Sequence, residues 1–206
     1  MNRYRNIVFD LGGVILNLDL QRTSDAFRKL GFADFDNVYG QLKQSDVFDR
    51  FDKGHISEND FRRALAEHLP ETVTAAEIDS AWNAMLLDLP AERIRFLETI
   101  NKTHRIFLLS NTNEIHVRAF EAYLQQAFGF SNFNHIFEKA YYSCRIGLRK
   151  PDREIFDFVL AENNLQPAET LFIDDSPQHV EGARKAGITG FWIRDGKSIT
   201  ENDIYQ

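Results

Sequence analysis

Continuous apolar runs alternate along this chain with stretches whose apolar residues recur every three or four positions. Residues 6–10, with Ile7-Val8-Phe9 at their centre, read as a buried strand that closes on Asp10. Across residues 19–88 the strand signal fades and helical spacing takes over. Phe61, Leu65 and Leu69 recur every four residues, as do Ile78, Trp82 and Leu86, with Met85 and Leu89 on the same face. Ser57, followed three residues later by Asp60, predicts a helix N-cap. Pro90 suits the first turn of the next helix, whose inner face is Ile94, Leu97 and Ile100. Ile106-Phe107-Leu108-Leu109 is a second buried strand, ending at Ser110-Asn111-Thr112 and followed by a helix carrying His116 and Phe120. Lys150-Pro151 opens another helix through Ile155, Phe156 and Val159. A third strand, Thr170-Leu171-Phe172-Ile173, runs into Asp174-Asp175; a short helix closed by Gly187 and a last strand at residues 189–193 follow.

Strands that are apolar throughout and separated by helices imply a parallel sheet covered on both faces. The expected fold class is therefore α/β: a Rossmann-like, mostly parallel sheet flanked by helices, with a helical cap inserted after the first strand. The corresponding division is a core of residues 1–18 and 89–206 and a cap of residues 19–88. Ligands of such sheets bind outside the carboxyl ends of the strands. Asp10, Ser110 and the Asp174-Asp175 pair all fall at such ends.

Composition narrows the function classes. Of the 206 residues, 43% are hydrophobic and 27% charged, ordinary values for a soluble globular chain, and there is no internal repeat or low-complexity segment. A formal net charge of -7, with basic residues scattered, argues against a nucleic-acid partner. Cys144 is the only cysteine, which excludes an intrachain disulfide and a multi-cysteine metal site; it reads as a buried small hydrophobe. Arg3 and Arg5 before an apolar stretch imitate a signal peptide, but Asp10, Asn17 and Asp19 interrupt it. No segment approaches the ~18 apolar residues of a membrane span, so a cytoplasmic protein without a membrane partner is expected. Asp49 to Asp60 imitates a calcium loop, yet Phe51 and Lys53 stand where oxygen ligands are needed. Nothing in the sequence sets an oligomeric state.

The acids at the strand ends carry the chemistry. Three carboxylates delivered by two strands to one sheet edge would repel one another, and a divalent cation resolves that repulsion. Four short motifs stand in order at these ends: Phe9-Asp10-Leu11-Gly12-Gly13-Val14, Leu109-Ser110-Asn111-Thr112, Arg149-Lys150-Pro151-Asp152 and Phe172-Ile173-Asp174-Asp175-Ser176. Together they make the whole chain resemble the haloacid dehalogenase superfamily of hydrolases, in its capped, cytosolic sugar-phosphatase-like branch. Ser110-Asn111-Thr112-Asn113 with His116 is most similar to the bacterial α-glucose-1-phosphate phosphatase group.

The resemblance implies roles. Asp10 would attack phosphorus and form an aspartyl-phosphate, splitting one difficult displacement into two. Mg²⁺ would be held by the Asp10 carboxylate, the Gly12 carbonyl and Asp175, with Asp174 as an outer or water-mediated partner. Ser110 would bind a phosphoryl oxygen, helped by the N–H of Asn111 at a helix start. Lys150 would neutralise charge on both Asp10 and the phosphoryl group, and His116 would lie near the substrate, a small phosphorylated metabolite. The bland readings are helix caps for Asp10 and Ser110, a solvated Lys150 and a turn at Asp174; their shared strand-end placement speaks against all four at once. Arg145, Arg149 and Arg153 match no motif and read as solvated or salt-bridged.

One departure stands out. Most phosphatases of this superfamily carry a second aspartate two residues after the nucleophile, to protonate the leaving alcohol and then activate water. Here that position is Gly12. General acid–base catalysis supplies ~10²–10⁴ in rate, so a slow enzyme, a good leaving group such as an anomeric phosphate, or a substitute acid at His116 or His55 is expected. The turn itself is a reason for glycine at position 12, through its access to φ > 0. The 2-haloacid dehalogenases also lack the second acid and work without metal, but the Asp174-Asp175 pair has no use there. A non-catalytic phospho-ligand sensor is the other alternative. Selectivity would fall to cap side chains, with Phe48, Phe51 and His55 as candidates.

Overall fold

Successive residues of the central strands face opposite layers of helices, and that alternation sorts the core into two slabs. The computed structural model describes residues 3–37, 39, 47–194, 197–201 and 205. Its strands are β1 (Asn6–Phe9), β2 (Arg105–Ser110), β3 (Lys139–Tyr142), β4 (Thr170–Asp174) and β5 (Thr189–Trp192). The helices are α1 (Leu20–Lys29), α2 (Val47–Asp52), α3 (Glu58–Ala66), α4 (Ala75–Asn83), α5 (Ala91–Ile100), α6 (Glu114–Phe128), α7 (Ser143–Ile146), α8 (Arg153–Glu162) and α9 (Pro177–Lys185). The strands form one five-stranded sheet in the order β3-β2-β1-β4-β5, every pair parallel. Ile7, Phe9, Ile106, Leu108, Leu171 and Ile173 pack with Ile94 and Leu97 of α5 and Val117 and Leu124 of α6. Val8, Phe107, Leu109 and Phe172 point the other way, onto Ile155, Phe156 and Val159 of α8 and Ala183 of α9.

This is the α/β architecture expected from the sequence, with both sheet faces covered. The chain builds outward from β1 to β2 and β3, then returns to place β4 on the other side of β1. The reversal lies between β1 and β4, where a crevice opens outside the carboxyl ends of a parallel sheet. The strand β3 was not anticipated: its first half, Lys139-Ala140, is not buried, so it lacks the apolar run that marks the other interior strands.

The helical segment after β1 has a core of its own. Phe27, Phe32, Phe35, Phe48, Phe51, Phe61 and Trp82 pack together, with Phe51 and Phe61 stacked at 4.0 Å and Phe27 and Phe35 at 4.5 Å. Ser57 and Asp60 form the expected cap of α3, as a reciprocal capping box, and Thr74 with Glu77 does the same for α4. The helices are shorter than their apolar spacing implied. Leu69 follows the end of α3 yet still packs on the aromatic cluster, whereas Leu89, past α4, is buried in the sheet core. The two connections to the segment run side by side: Asn17 N–H donates to Asp88 O at 2.9 Å and Leu87 N–H to Asn17 O at 3.0 Å. Among the described residues no helix is long and apolar enough to cross a membrane.

Candidate active site

The hydrogen bond from Asp10 N–H to Ile173 O, 2.9 Å, registers the first carboxylate against β4. The chain then turns tightly, with the amides of Ile15 and Leu16 both donating to Leu11 O at 2.8 Å and Gly13 N–H to Leu16 O at 2.9 Å. The residue that needs glycine is Gly13, not Gly12. Gly13 has φ +72°, and a Cβ there would stand 2.1 Å from Asp175 Oδ2. Gly12 lies outside the left-handed region, and a Cβ on it would meet only the side chain of Leu18. The turn geometry therefore does not explain the absence of a side chain at position 12.

Behind the turn sits a fully buried ammonium group. Lys150 is 0% exposed, and its Nζ donates to Asp10 Oδ1 at 2.6 Å, Asp174 Oδ2 at 2.7 Å and Leu109 O at 2.8 Å. Three N–H bonds meet three acceptors from the ends of three adjacent strands. Burying a charge costs several kcal/mol unless it is paired and fully hydrogen-bonded, and Lys150 meets both conditions. Asn111 fixes the lysine from the backbone side: its Nδ2 donates to Lys150 O at 2.8 Å, and Lys150 N–H donates to its Oδ1 at 2.9 Å. The expected contact of Lys150 with a phosphoryl oxygen is modified accordingly. The ammonium lies beneath Asp10 with its donors engaged, and a phosphoryl oxygen would have to displace one of these acceptors. Asn111 likewise stands in the turn after β2, ahead of the helix start, which belongs to Asn113 as N-cap of α6.

The two acids after β4 differ in their surroundings. Asp174 is buried, and besides Lys150 it accepts from Ser176 N–H at 2.7 Å and contacts His179 Nδ1 at 3.0 Å through both oxygens. Asp175 is open to solvent, its main-chain oxygen held by Trp192 Nε1 at 2.9 Å. Burial raises the Asp10 carboxyl above the usual range, with the charge of Asp174 adding to it and Lys150 opposing. Asp175 is raised for the same two reasons, partial burial first and then Asp174. Burial also pushes against Asp174, but Lys150 and His179 hold it below the usual range. One oxygen from each of Asp10, Asp174 and Asp175 lies within 4.8 Å of the others. Three clustered carboxylates against a single ammonium leave negative charge to be neutralised, and hard oxygen donors suit a divalent cation. The residues present fit such an ion. Sequence reasoning missed His179, whose only signal is its place one turn into α9, in reach of Asp174.

These groups open into a cavity of about 260 Å³ beneath the helical segment, lined by Asp10, Gly12, Ser110, Asn111 and Asp175 on the sheet side. Facing them are Leu18, Phe48, Trp82 and Met85, together with Asp52 and His116. His116 does not have the properties of an acid. It stacks on Trp82 at 5.1 Å, Nε2 lies 3.2 Å from Trp82 O and Nδ1 lies 3.4 Å from Asn113 Nδ2. That pattern fits a neutral ring with its proton on Nε2, donating to the carbonyl. Burial drives its pKa down to about 4, so at neutral pH the ring has no spare proton. His55, the other expected substitute, is exposed and outside the cavity wall; Phe51 also lies outside that wall, buried in the aromatic cluster. The three arginines are salt-bridged: Arg145 to Glu114, Arg149 to Asp49 and Arg153 to Asp157. Cys144 is half-buried, and burial beside Glu114 pushes its thiol up to about 12, which removes it as a nucleophile.

The arrangement has known counterparts. Residues 4–187 match the model of a hydrolase family, haloacid dehalogenase-like hydrolase. A D-ribitol-5-phosphate phosphatase of Bacteroides thetaiotaomicron is 31% identical over 192 residues, 93% of either chain. Among solved structures, a HAD family enzyme of the same bacterium, in complex with magnesium and inorganic phosphate, superposes with a TM-score of 0.86 at 32% identity, covering 98% of this chain and 100% of that one. A HAD-like family hydrolase of Porphyromonas gingivalis gives a TM-score of 0.83 at 31% identity, over 95% and 93% of the two chains. This chain belongs to the haloacid dehalogenase-like hydrolases.

Proposed function

We propose that the chain is a Mg²⁺-dependent phosphatase of small phosphate monoesters, with Asp10 as nucleophile and residues 19–88 as a cap over the site. The observation that carries the reading is the cluster of Asp10, Asp174 and Asp175 around Lys150, open to a cavity that Ser110 also lines. The ion would be held by Asp10, the Gly12 carbonyl and Asp175, and when bound it supplies the positive charge that lets an anionic nucleophile approach an anionic ester. The chain's own groups do the rest. An Asp10 oxygen bonds to phosphorus as the ester P–O bond breaks and the leaving group departs as its alkoxide, taking a proton from solvent water; a second water then attacks phosphorus, breaking the Asp10–phosphorus bond and releasing phosphate and the free carboxylate. The Ser110 hydroxyl and the backbone N–H of Asn111 would hold phosphoryl oxygens. Lys150 keeps Asp10 aimed and opposes its protonation, and Asp174 steadies Lys150 from behind.

The enzyme named in the relative acts on an alkyl phosphate, and the complex with magnesium and phosphate supports the same chemistry here. Gly12 brings no proton donor, so substrates with poor leaving groups turn over slowly unless a cap group assists. The test is phosphate release from a panel of phosphorylated metabolites with Mg²⁺ and with chelator. Metal-dependent release is expected. Metal-independent halide release from 2-haloacids would instead establish the dehalogenase, and tight ester binding without turnover the sensor.

A further inference from the structure

The cavity wall that faces the sheet edge is largely hydrocarbon, and one piece of it reaches the turn after Asp10. An ideal Cβ on Gly12 would stand 2.6 Å from Leu18 Cδ1, so Leu18 holds the volume that a side chain at position 12 would enter. The paired connections fix Leu18 there. It bridges to Leu86 in antiparallel register, with Asn17 N–H donating to Asp88 O and Asp19 N–H to Met85 O, both at 2.9 Å. The apolar wall continues through Leu20, Leu86, Phe48, Trp82 and Met85. Leu18 and Leu20 are 38% and 65% exposed, large aliphatic side chains that a bound apolar group would take out of water. The polar groups of the same wall are tied to one another. His116 Nε2 donates to Trp82 O at 3.2 Å, Asn113 Oδ1 accepts from His116 N–H at 3.1 Å, and Asn113 Nδ2 donates to Asp52 Oδ1 at 3.4 Å.

We infer that Leu18 is a specificity-determining residue and that the substrate is a small aryl phosphate, an ester whose leaving group is both apolar and a weak base. This rests on the phosphatase reading above. Both properties come from one place, because a leucine in the volume beside Gly12 offers methyl contact and no proton. A phenol ionises near the tyrosine value, about 10. A phenoxide therefore departs with the ester electron pair as the Asp10–phosphorus bond forms, and takes its proton from water. An alkoxide is far more basic, and its departure needs the acid that position 12 does not supply. The aryl ring would cover Leu18 and Leu20, whereas the hydroxyls of a polyol would lose their hydration against those side chains without gaining partners.

The experiment crosses the two properties by measuring kcat/KM with Mg²⁺ for four esters. Phenyl phosphate has an apolar, weakly basic leaving group and cyclohexyl phosphate an apolar, strongly basic one. Glucose 1-phosphate is hydroxylated and less basic, glycerol 3-phosphate hydroxylated and strongly basic. The parent, Leu18→Ala and Leu18→Asn are compared, with circular dichroism to check the fold. In the parent, phenyl phosphate should lead cyclohexyl phosphate by about 10²-fold or more and glucose 1-phosphate by about tenfold. Both substitutions should narrow the second gap by about threefold or more, Leu18→Asn the further because its amide meets hydroxyls, and should leave the first gap in place. Ratios between substrates within one variant cancel a general loss of activity, so a merely structural role would not move them. A parent that takes glucose 1-phosphate or cyclohexyl phosphate as well as phenyl phosphate would overturn the inference, as would an unchanged phenyl-to-glucose ratio in both variants. If none of the four esters releases phosphate, the phosphatase reading itself has failed and this inference falls with it.

Discussion

The sheet edge and the helical segment are built from different materials. At the sheet edge, aliphatic strands fix backbone positions so closely that a lysine side chain finds acceptors on three adjacent strand ends. The helical segment is held by aromatic stacking, as at Phe51–Phe61 and Phe48–Trp82, and touches the core through side-chain pairs: Glu58 with Arg118, Asp49 with Arg149 and Asp52 with Asn113. Charge-critical chemistry thus sits where backbone hydrogen bonds set the distances. Selection, on the proposed reading, sits where side chains set them, and side chains change more cheaply than strand register.

The difference can be broken most severely at Asp10. Asp10→Asn keeps shape and removes the proposed nucleophile, so phosphate release should fall by about 10⁴-fold or more, with circular dichroism unchanged. Appreciable turnover in the folded variant would sink the covalent route. Next in size is an injury to the other region. Phe61 is 0% exposed and touches Phe48, Phe51 and Trp82, so Phe61→Ala should cost roughly 3–5 kcal/mol of stability in urea denaturation. In the folded fraction, KM should rise more than kcat falls; equal losses would mean that the helical segment takes part in the chemistry.

A finer comparison separates the two acids after β4. Asp175→Asn should raise the Mg²⁺ concentration for half-maximal activity about 10–100-fold. Asp174→Asn should move it less and lower stability instead, because Asp174 already serves Lys150, Ser176 and His179. Metal titrations with equal or reversed shifts would exchange the two roles. The smallest effect belongs to Gly12→Asp. Since position 12 is outside the left-handed region and only Leu18 must move aside, the variant should fold. It should raise kcat/KM for alkyl phosphates about tenfold more than for aryl phosphates. An unaltered leaving-group dependence would show that proton donation does not limit the reaction.

The strands and their acids were legible because a buried parallel strand writes a continuous apolar run, and each such run here ends in a polar group. What the sequence hid follows from three-dimensional context. The short β3 carries polar and aromatic residues on a sheet margin, so no run marks it. The burial of Lys150 could not be read from a lysine before proline; it follows from Asn111 gripping its backbone on both sides. His116 lines the cavity, but its neutral state depends on Trp82, far away in sequence. The positive φ was expected one residue too early, because the pattern Gly12-Gly13 does not say which glycine takes the turn.

That turn has a consequence for inheritance. Gly13 and the Asp175 carboxylate occupy one volume, since any side chain at Gly13 would stand where Asp175 Oδ2 now is. Two segments from opposite ends of the chain therefore behave as a single heritable part. A chimera that takes β1 with its turn from one relative and β4 from another can preserve every motif letter and still lose the proposed metal site, unless both parents have solved this one steric question alike.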